Sequence, residues 1–501
     1  MRGFAFLVGY LSLPIPDHAV LRPVDECAVA IVGATVIDGN GGAPVPDAAV
    51  VVRGKRIEAV GPRARVSVPR CARVIDGTGK YVTPGFIDTN VHISFGDMES
   101  NIRYQDQRFD IVVEGAQLHL KYGVTTIRDS YGILKPLVTA RDAINRGDVV
   151  GPRLYLAGNI VGWGGHFSVT WGRPWPAPQQ PTNLWQEQFN DSFTEGTGEE
   201  LILMGPDSLR AAMNRYLDKG VDFVKFGGTV HSPFPTLLVF SPRQVKVIVD
   251  ETHKRGKVAE THATSPEGLL IALEAGVDLV QHPEILETPL TDELVRLLID
   301  HKVICSMNIN SHTGKSYQDY LGNVRQFQAE ATKPKQDTLR GPRRWPARAK
   351  TSREIVLTTV SPNIRRVWRA NAERLVREGC LVSVASDNDM DSANEFARDP
   401  GQWRAREPGV GTFLSIEGLV ELGMTPMQAL VAATKHGAMA SKALTEYGTI
   451  EAGKLADLLV LDADPTRDIR NIRRLSLVMK EGAVIDTGRL PSKPLFTRST
   501  P

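Results

Sequence analysis

Apolar and polar positions alternate in two styles along this chain. Over residues 28 to 82, Val, Ile and Gly dominate and turn signals fall at DGNGG, VRGKR and DGTGK, which predicts several short antiparallel strands. The far end returns to that style in ADLLVLD (456 to 462) and LSLVMKEGAVI (475 to 485), so both ends are expected to build one small β-domain. Between them, apolar runs alternate with amphipathic segments. Eight strand candidates stand out: GFIDTNVH, TTIRDS, RLYLAGN, DFVKFGG, VAETHA, DLVQHP, VICSMN and LVSVASD. Repeated strand–helix units of this kind predict a parallel sheet, and eight of them over about 360 residues predict a TIM barrel with insertions.

Helix punctuation agrees with that register. Ser265-Pro266-Glu267 is expected to start the helix through LLIALEA and Gly276 to end it, and Thr425-Pro426-Met427-Gln428 reads as a capping box before ALVAATKHGAMA. Two segments break the alternation. Residues 161 to 200 hold an aromatic, Pro-rich stretch, WGRPWPAPQQPTNLWQEQF. Residues 315 to 360 hold a basic one, with Lys333, Lys335, Arg340, Arg343, Arg344, Arg348, Lys350 and Arg353. Long insertions in a barrel often cover the active face, and a solvated basic helix or loop is the plainer reading of the second.

Composition narrows the ligand. With 501 residues and 42% hydrophobic content the chain has material for a large core plus a satellite, and 59 basic against 57 acidic residues leave a formal charge of +2. Such a balance gives no electrostatic reason to bind nucleic acid or anionic lipid, so the expected partner is a small-molecule substrate, uncharged or weakly charged. The first sixteen residues, MRGFAFLVGYLSLPIP, resemble a signal peptide only loosely: Gly9 and Pro14 interrupt the run and no clear A-x-A site follows. A poorly defined extension is expected over residues 1 to 28. The four cysteines show no C-x-x-C spacing; Cys305 and Cys380 lie in apolar runs and read as buried, inert thiols, and nothing forces an oxidising compartment.

The C-terminal ends of barrel strands converge on one face, so polar groups there meet although distant in sequence. Strand one offers Asn90 and His92, strand four Lys225, strand five His262, strand six His282 and strand eight Asp387, while Gly164-Gly165-His166 follows strand three. A single histidine at a strand end is commonly a packed core residue, and Lys225 alone reads as a lysine snorkelling at a rim. Their joint occurrence at equivalent positions is what points to a metal site.

The order PGFIDTNVH, GVTTIRD, GPRLYLAGN, GWGGH, DFVKFGG, ETHA, AGVDLVQHP, ASD and TPMQALVAAT with GTIEAGKLADLLVLD resembles the amidohydrolase superfamily, in its imidazolonepropionase- and prolidase-like branch, over about residues 30 to 485. The resemblance implies a distorted (β/α)8 barrel over residues 83 to 446, and a small β-sandwich from residues 29 to 82 plus 447 to 490. It implies a divalent metal, zinc before cobalt or manganese, one or two ions per chain, held by His92, Lys225, His262, His282 and Asp387, with Lys225 carboxylated to a carbamate. Neutral imidazoles suit zinc, and a carbamate makes a lysine compatible with neighbouring cations. Asp387 is then expected to move the proton of the attacking water to the departing nitrogen, with Asp389 as the competing candidate, and His166 to hydrogen-bond the carbonyl oxygen.

Asn90 departs from the family's His-x-His. A neutral amide oxygen is a poorer zinc ligand than imidazole, so one metal position should be weak and the centre mononuclear or partly occupied. The Asn-x-His feature resembles the phenylurea and molinate hydrolase subgroup. Trp163, Trp171, Trp175 and Trp185 cluster near His166 and favour an apolar or aryl ligand, with Trp163 and His231 as substrate-binding candidates. The expected activity is hydrolysis of an amide, urea, carbamate or thiocarbamate C–N bond in a small neutral substrate. The first alternative is a prolidase-like dipeptidase or N-acyl amino acid hydrolase, anchored by Arg173, His231 or an arginine of the basic insertion. The second is a non-catalytic binding protein on the same barrel. A cytoplasmic homo-oligomer without membrane attachment completes the expectation.

Overall fold

The structure, a computed structural model, describes residues 27–94, 101–102, 104–171, 183–231, 235–331, 364–390 and 404–491. The initial segment, Arg173, Trp175 and the basic cluster from Lys333 to Arg353 lie outside the described residues.

The two chain ends do meet. Strands Val29–Val36, Val45–Arg53, Arg56–Pro62, Arg73–Asp76 and Tyr81–Pro84 share one eight-stranded sheet with Leu458–Leu461, Leu475–Lys480 and Ala483–Ile485. The join is antiparallel, Leu458 opposite Pro84 and Leu461 opposite Tyr81. Alternation explains it: Val50, Val52, Ile57, Val82, Leu458, Val460 and Met479 share one buried cluster. Gly482, at φ 78°, lets the last hairpin press on the Gly54 turn, where an added Cβ would fall 2.0 Å from the Gly54 carbonyl oxygen.

All eight strand candidates are strands. We number them β1 (Phe86–His92), β2 (Val124–Asp129), β3 (Arg153–Leu156), β4 (Phe223–Gly227), β5 (Val258–His262), β6 (Leu279–Gln281), β7 (Ile304–Asn308) and β8 (Leu381–Ala385). Pairing is parallel from β1 through β3 and from β4 through β8. Short pairs bridge the two seams: Ile160–Val161, just past β3, pairs with Lys225–Phe226, and Asn388–Asp389, just past β8, pairs with Val91–His92. This is the strand order of a TIM barrel. Helix ends follow the sequence signals. Ser265 caps Pro266–Ala275, which stops at Gly276 (φ 90°), and Thr425 with Gln428 forms a full capping box on Pro426–Ala433.

Beneath the rim the interior is polar and fully buried. Arg128 donates to Glu260 at 2.5 Å, and Gln281 Nε2 donates to Glu260 Oε1 at 2.9 Å and to the Thr89 carbonyl at 3.1 Å. A buried charge pair survives where further hydrogen bonds satisfy it, as here.

The cysteines correct the sequence reading. Cys305 and Cys380 are not inert thiols but a disulfide, and Cys27 pairs with Cys71; no cysteine is free. The reason is register: Cys305 lies opposite Val382 on adjacent parallel strands, and Cys380 is two residues upstream, with Cα atoms 6.5 Å apart. Among the described residues, no helix is long and apolar enough to cross a membrane.

Candidate active site

The strand ends bring the predicted residues to one rim in two pairs. At the β8–β1 seam, His92 Nε2 lies 3.0 Å from Asp387 Oδ1, and His92 Nδ1 is 3.1 Å from the Tyr131 carbonyl. A carbonyl only accepts, so Nδ1 carries a hydrogen, and Nε2 is the ring nitrogen turned to the carboxylate. Asp387 is further held by Asn90 Nδ2 on Oδ1 (3.2 Å), Asn308 Nδ2 on Oδ2 (3.1 Å) and Arg406 at 3.5 Å from Oδ2. Burial pushes the Asp387 carboxyl up, but the His92 hydrogen bond and the charge of Arg406 outweigh it and hold the group well below the usual carboxylate range. Asp389 pairs instead with Arg406 at 3.0 Å.

Asn90 is fully buried and does more than occupy a ligand position. Its Oδ1 accepts from Ser130 Oγ while its Nδ2 reaches Asp387. Ser130 Oγ also accepts from Lys225 Nζ at 3.1 Å, so Lys225, Ser130, Asn90 and Asp387 form one hydrogen-bonded line. Burial lowers Lys225 below the ordinary lysine range, against the raising charges of Glu260, Asp387 and Asp129.

The second pair comes from β5 and β6. His262 Nδ1 and His282 Nε2 face each other at 3.0 Å, and the outer nitrogens, His262 Nε2 and His282 Nδ1, are buried with no hydrogen-bond partner among the described residues. Burial drives both rings towards the neutral form, His282 to about 3 and His262 well below its ordinary value. Among the described residues, no three or more His, Cys, Asp or Glu side chains gather as a ready cation cage. The two pairs nevertheless fit a metal, because ligands about 2.0–2.1 Å from one tetrahedral zinc are about 3.3 Å apart. His282 and Asp387 both take positive φ, 39° and 54°. Non-glycine residues rarely do so, and such strain is concentrated at functional sites.

An aromatic wall flanks the His262 side. Trp163 stacks edge-on at 4.7 Å from His262 and 5.3 Å from His231, and Trp171 lies flat on His231 at 4.5 Å. Tyr131 stacks on Trp171 at 4.8 Å. Trp163 is buried with its Nε1 donating to the Thr229 carbonyl, so it supports the wall from behind; Gly227, lacking a Cβ, leaves it room. His231 and Trp171 carry the exposed faces. His166 joins the wall through Phe193 (5.1 Å) and Trp171 (5.7 Å), and its Nε2 is 3.3 Å from Asn101. Trp185 packs outside, on Phe167 and Phe189.

Ser130, Asn308 and Arg406 are site residues that sequence reasoning missed. For the first two the signal was present: TTIRDS and VICSMN end in Ser130 and Asn308, the same strand-end position that marked the others.

A model of the amidohydrolase family matches residues 81–485. The ochratoxinase of Aspergillus niger is 24% identical over 480 residues, covering 90% of this chain and 85% of that protein. Among solved structures, molinate hydrolase aligns with TM-score 0.81 and 30% identity over 95% of this chain and 98% of its own. Phenylurea hydrolase B aligns with TM-score 0.80 and 27% identity over 94% and 100%.

Proposed function

The chain belongs to the amidohydrolase family, and from that premise we propose that it is a metal-dependent hydrolase of a carbon–nitrogen bond in a small, neutral, apolar or aryl substrate, such as a phenylurea, carbamate or thiocarbamate. The observation that carries this reading is the gathering of ligand-type side chains in two close pairs, His92 with Asp387 and His262 with His282, each 3.0 Å apart at one barrel rim. Likeness to molinate hydrolase and phenylurea hydrolase B supports the substrate class.

His92, His262, His282 and Asp387 would hold a divalent ion, zinc in preference to cobalt or manganese, with Lys225 completing the set and Asn90 contributing weakly at most. When bound, such an ion acidifies water towards neutral pH and polarises a carbonyl. Asp387 takes the proton of the attacking water on a carboxylate oxygen and returns it to the departing nitrogen as the C–N bond breaks. His166 donates a hydrogen bond to the carbonyl oxygen, and Trp171 with His231 packs the apolar group. Burial disfavours the charge on Lys225 relative to an exposed lysine, and its amine nitrogen would bond to the carbon of carbon dioxide and release one proton to solvent to give the anionic carbamate.

A second reading, hydrolysis of an N-acyl amino acid or dipeptide, is favoured by Arg406, a partly exposed cation beside Asp387 that a substrate carboxylate would meet. The chain is further proposed to self-assemble and to bind neither nucleic acid nor membrane. Its two disulfides weigh against the cytoplasm and for an oxidising compartment. A turnover panel of phenylureas, aryl carbamates, N-acyl amino acids and dipeptides tests the reading: metal-dependent cleavage of the neutral aryl compounds supports it, and cleavage confined to the carboxylates replaces it with the second.

A further inference from the structure

Both carboxylate oxygens of Asp387 are held by side-chain amides. Asn90 Nδ2 reaches Oδ1 at 3.2 Å from β1, and Asn308 Nδ2 reaches Oδ2 at 3.1 Å from the last residue of β7. Asn308 is itself fixed: its backbone N–H donates to Glu284 Oε1 at 2.8 Å, it lies opposite Ala385 on β8, and it is almost fully buried. The carboxylate decides which way the amide points, since the reverse orientation would set two oxygens against each other.

Among the described residues, the buried amide oxygen of Asn308 finds no hydrogen-bond partner. An unsatisfied buried acceptor costs stability, and an apolar side chain of the same shape would avoid the cost. A residue that lowers stability where it sits, while donating to the proton-carrying carboxylate, has the profile of a functional side chain.

We propose that Asn308 is a positioning residue for hydrolysis, which together with Asn90 clamps Asp387 so that its carboxylate cannot turn away from the attacking water and the departing nitrogen. The clamp rests on the catalytic reading given above. It acts on the transition state rather than on substrate binding, because the group it orients moves a proton only as bonds change. A displaced proton carrier costs rate steeply, about 10²-fold for a shift of about 1 Å.

The test uses the full-length, metal-loaded chain with Asn308→Leu and Asn308→Asp. Asn308→Leu keeps shape and removes the donor; Asn308→Asp keeps shape and sets a second carboxylate against Asp387. The expected result for both is a kcat fall of about 30-fold or more with KM within about threefold of wild type, while Asn308→Leu melts at or above the wild-type temperature. A kcat within about threefold of wild type, or a loss lying wholly in KM, overturns the proposal. So does a loss that tracks a falling melting temperature. Crystal structures of both variants add a readout independent of turnover: Asp387 Oδ2 is expected to leave its wild-type position, and an unmoved carboxylate overturns the clamp. Inactivity of the wild type across the substrate panel instead overturns the proposed function, leaving the crystallographic comparison to decide on Asn308.

Discussion

The two halves of the rim are built from similar residues yet finished differently. On the β8–β1 side, Asp387 is enclosed by His92, Asn90, Asn308 and Arg406, and Asn90 leads back through Ser130 to Lys225. On the β5–β6 side, His262 and His282 touch each other, and their outer nitrogens meet no hydrogen-bond partner among the described residues. The first half is braced by protein donors; the second is two neutral imidazoles whose contact is mutual. On the function proposed above, the difference divides the work: the histidine pair would supply affinity for a cation, and the braced carboxylate a fixed proton acceptor. Asn90 belongs to the bracing, which is why an amide is useful where a fourth imidazole would otherwise sit.

The largest effect should come from the unbraced half. His262→Ala or His282→Ala is expected to strip the bound ion and bring turnover down to the background of chelated protein, read by metal analysis beside a rate assay. Either variant retaining a full equivalent of metal would erase the distinction. Next, Asp387→Asn should lower kcat by about 10²–10⁴-fold while the histidine side keeps most of its ion; full metal loss would make Asp387 chiefly a ligand. Asn90→His should convert bracing into ligation, raising affinity for a second ion by about 10–100-fold at some cost in kcat, and an unchanged stoichiometry would count against the role given to Asn90. The smallest effect on chemistry falls on the staple beneath the braced half. Replacing Cys305 and Cys380 together with Ala should lower stability by about 2–4 kcal/mol, followed by denaturant unfolding, with activity at low temperature largely kept.

Much of this is legible in the sequence. The eight apolar runs and their polar ends placed Asn90, His92, Lys225, His262, His282 and Asp387 on one rim, because strand direction in a barrel is fixed by the alternation with helices. What could not be read was cross-strand register. That Asn308 donates to Asp387, or that Cys305 finds Cys380, depends on β7 and β8 being neighbours at a particular offset, Asn308 opposite Ala385 and Cys305 opposite Val382. Spacings of 75 and 44 residues between paired cysteines carry no such information. The left-handed φ values at His282 and Asp387 were equally hidden, since neither residue type announces them. Trp163, a substrate-binding candidate by sequence, lies 4.7 Å from His262, and whether a tryptophan faces substrate or supports the wall depends on packing around Gly227 and Thr229.

The most direct measurement is to strip the full-length protein with chelator, titrate zinc back, and follow bound metal and phenylurea turnover together. Activity returning in step with about one tightly held equivalent per chain is the expected result. Turnover that survives stripping, or a chain that takes up no zinc, would contradict the account.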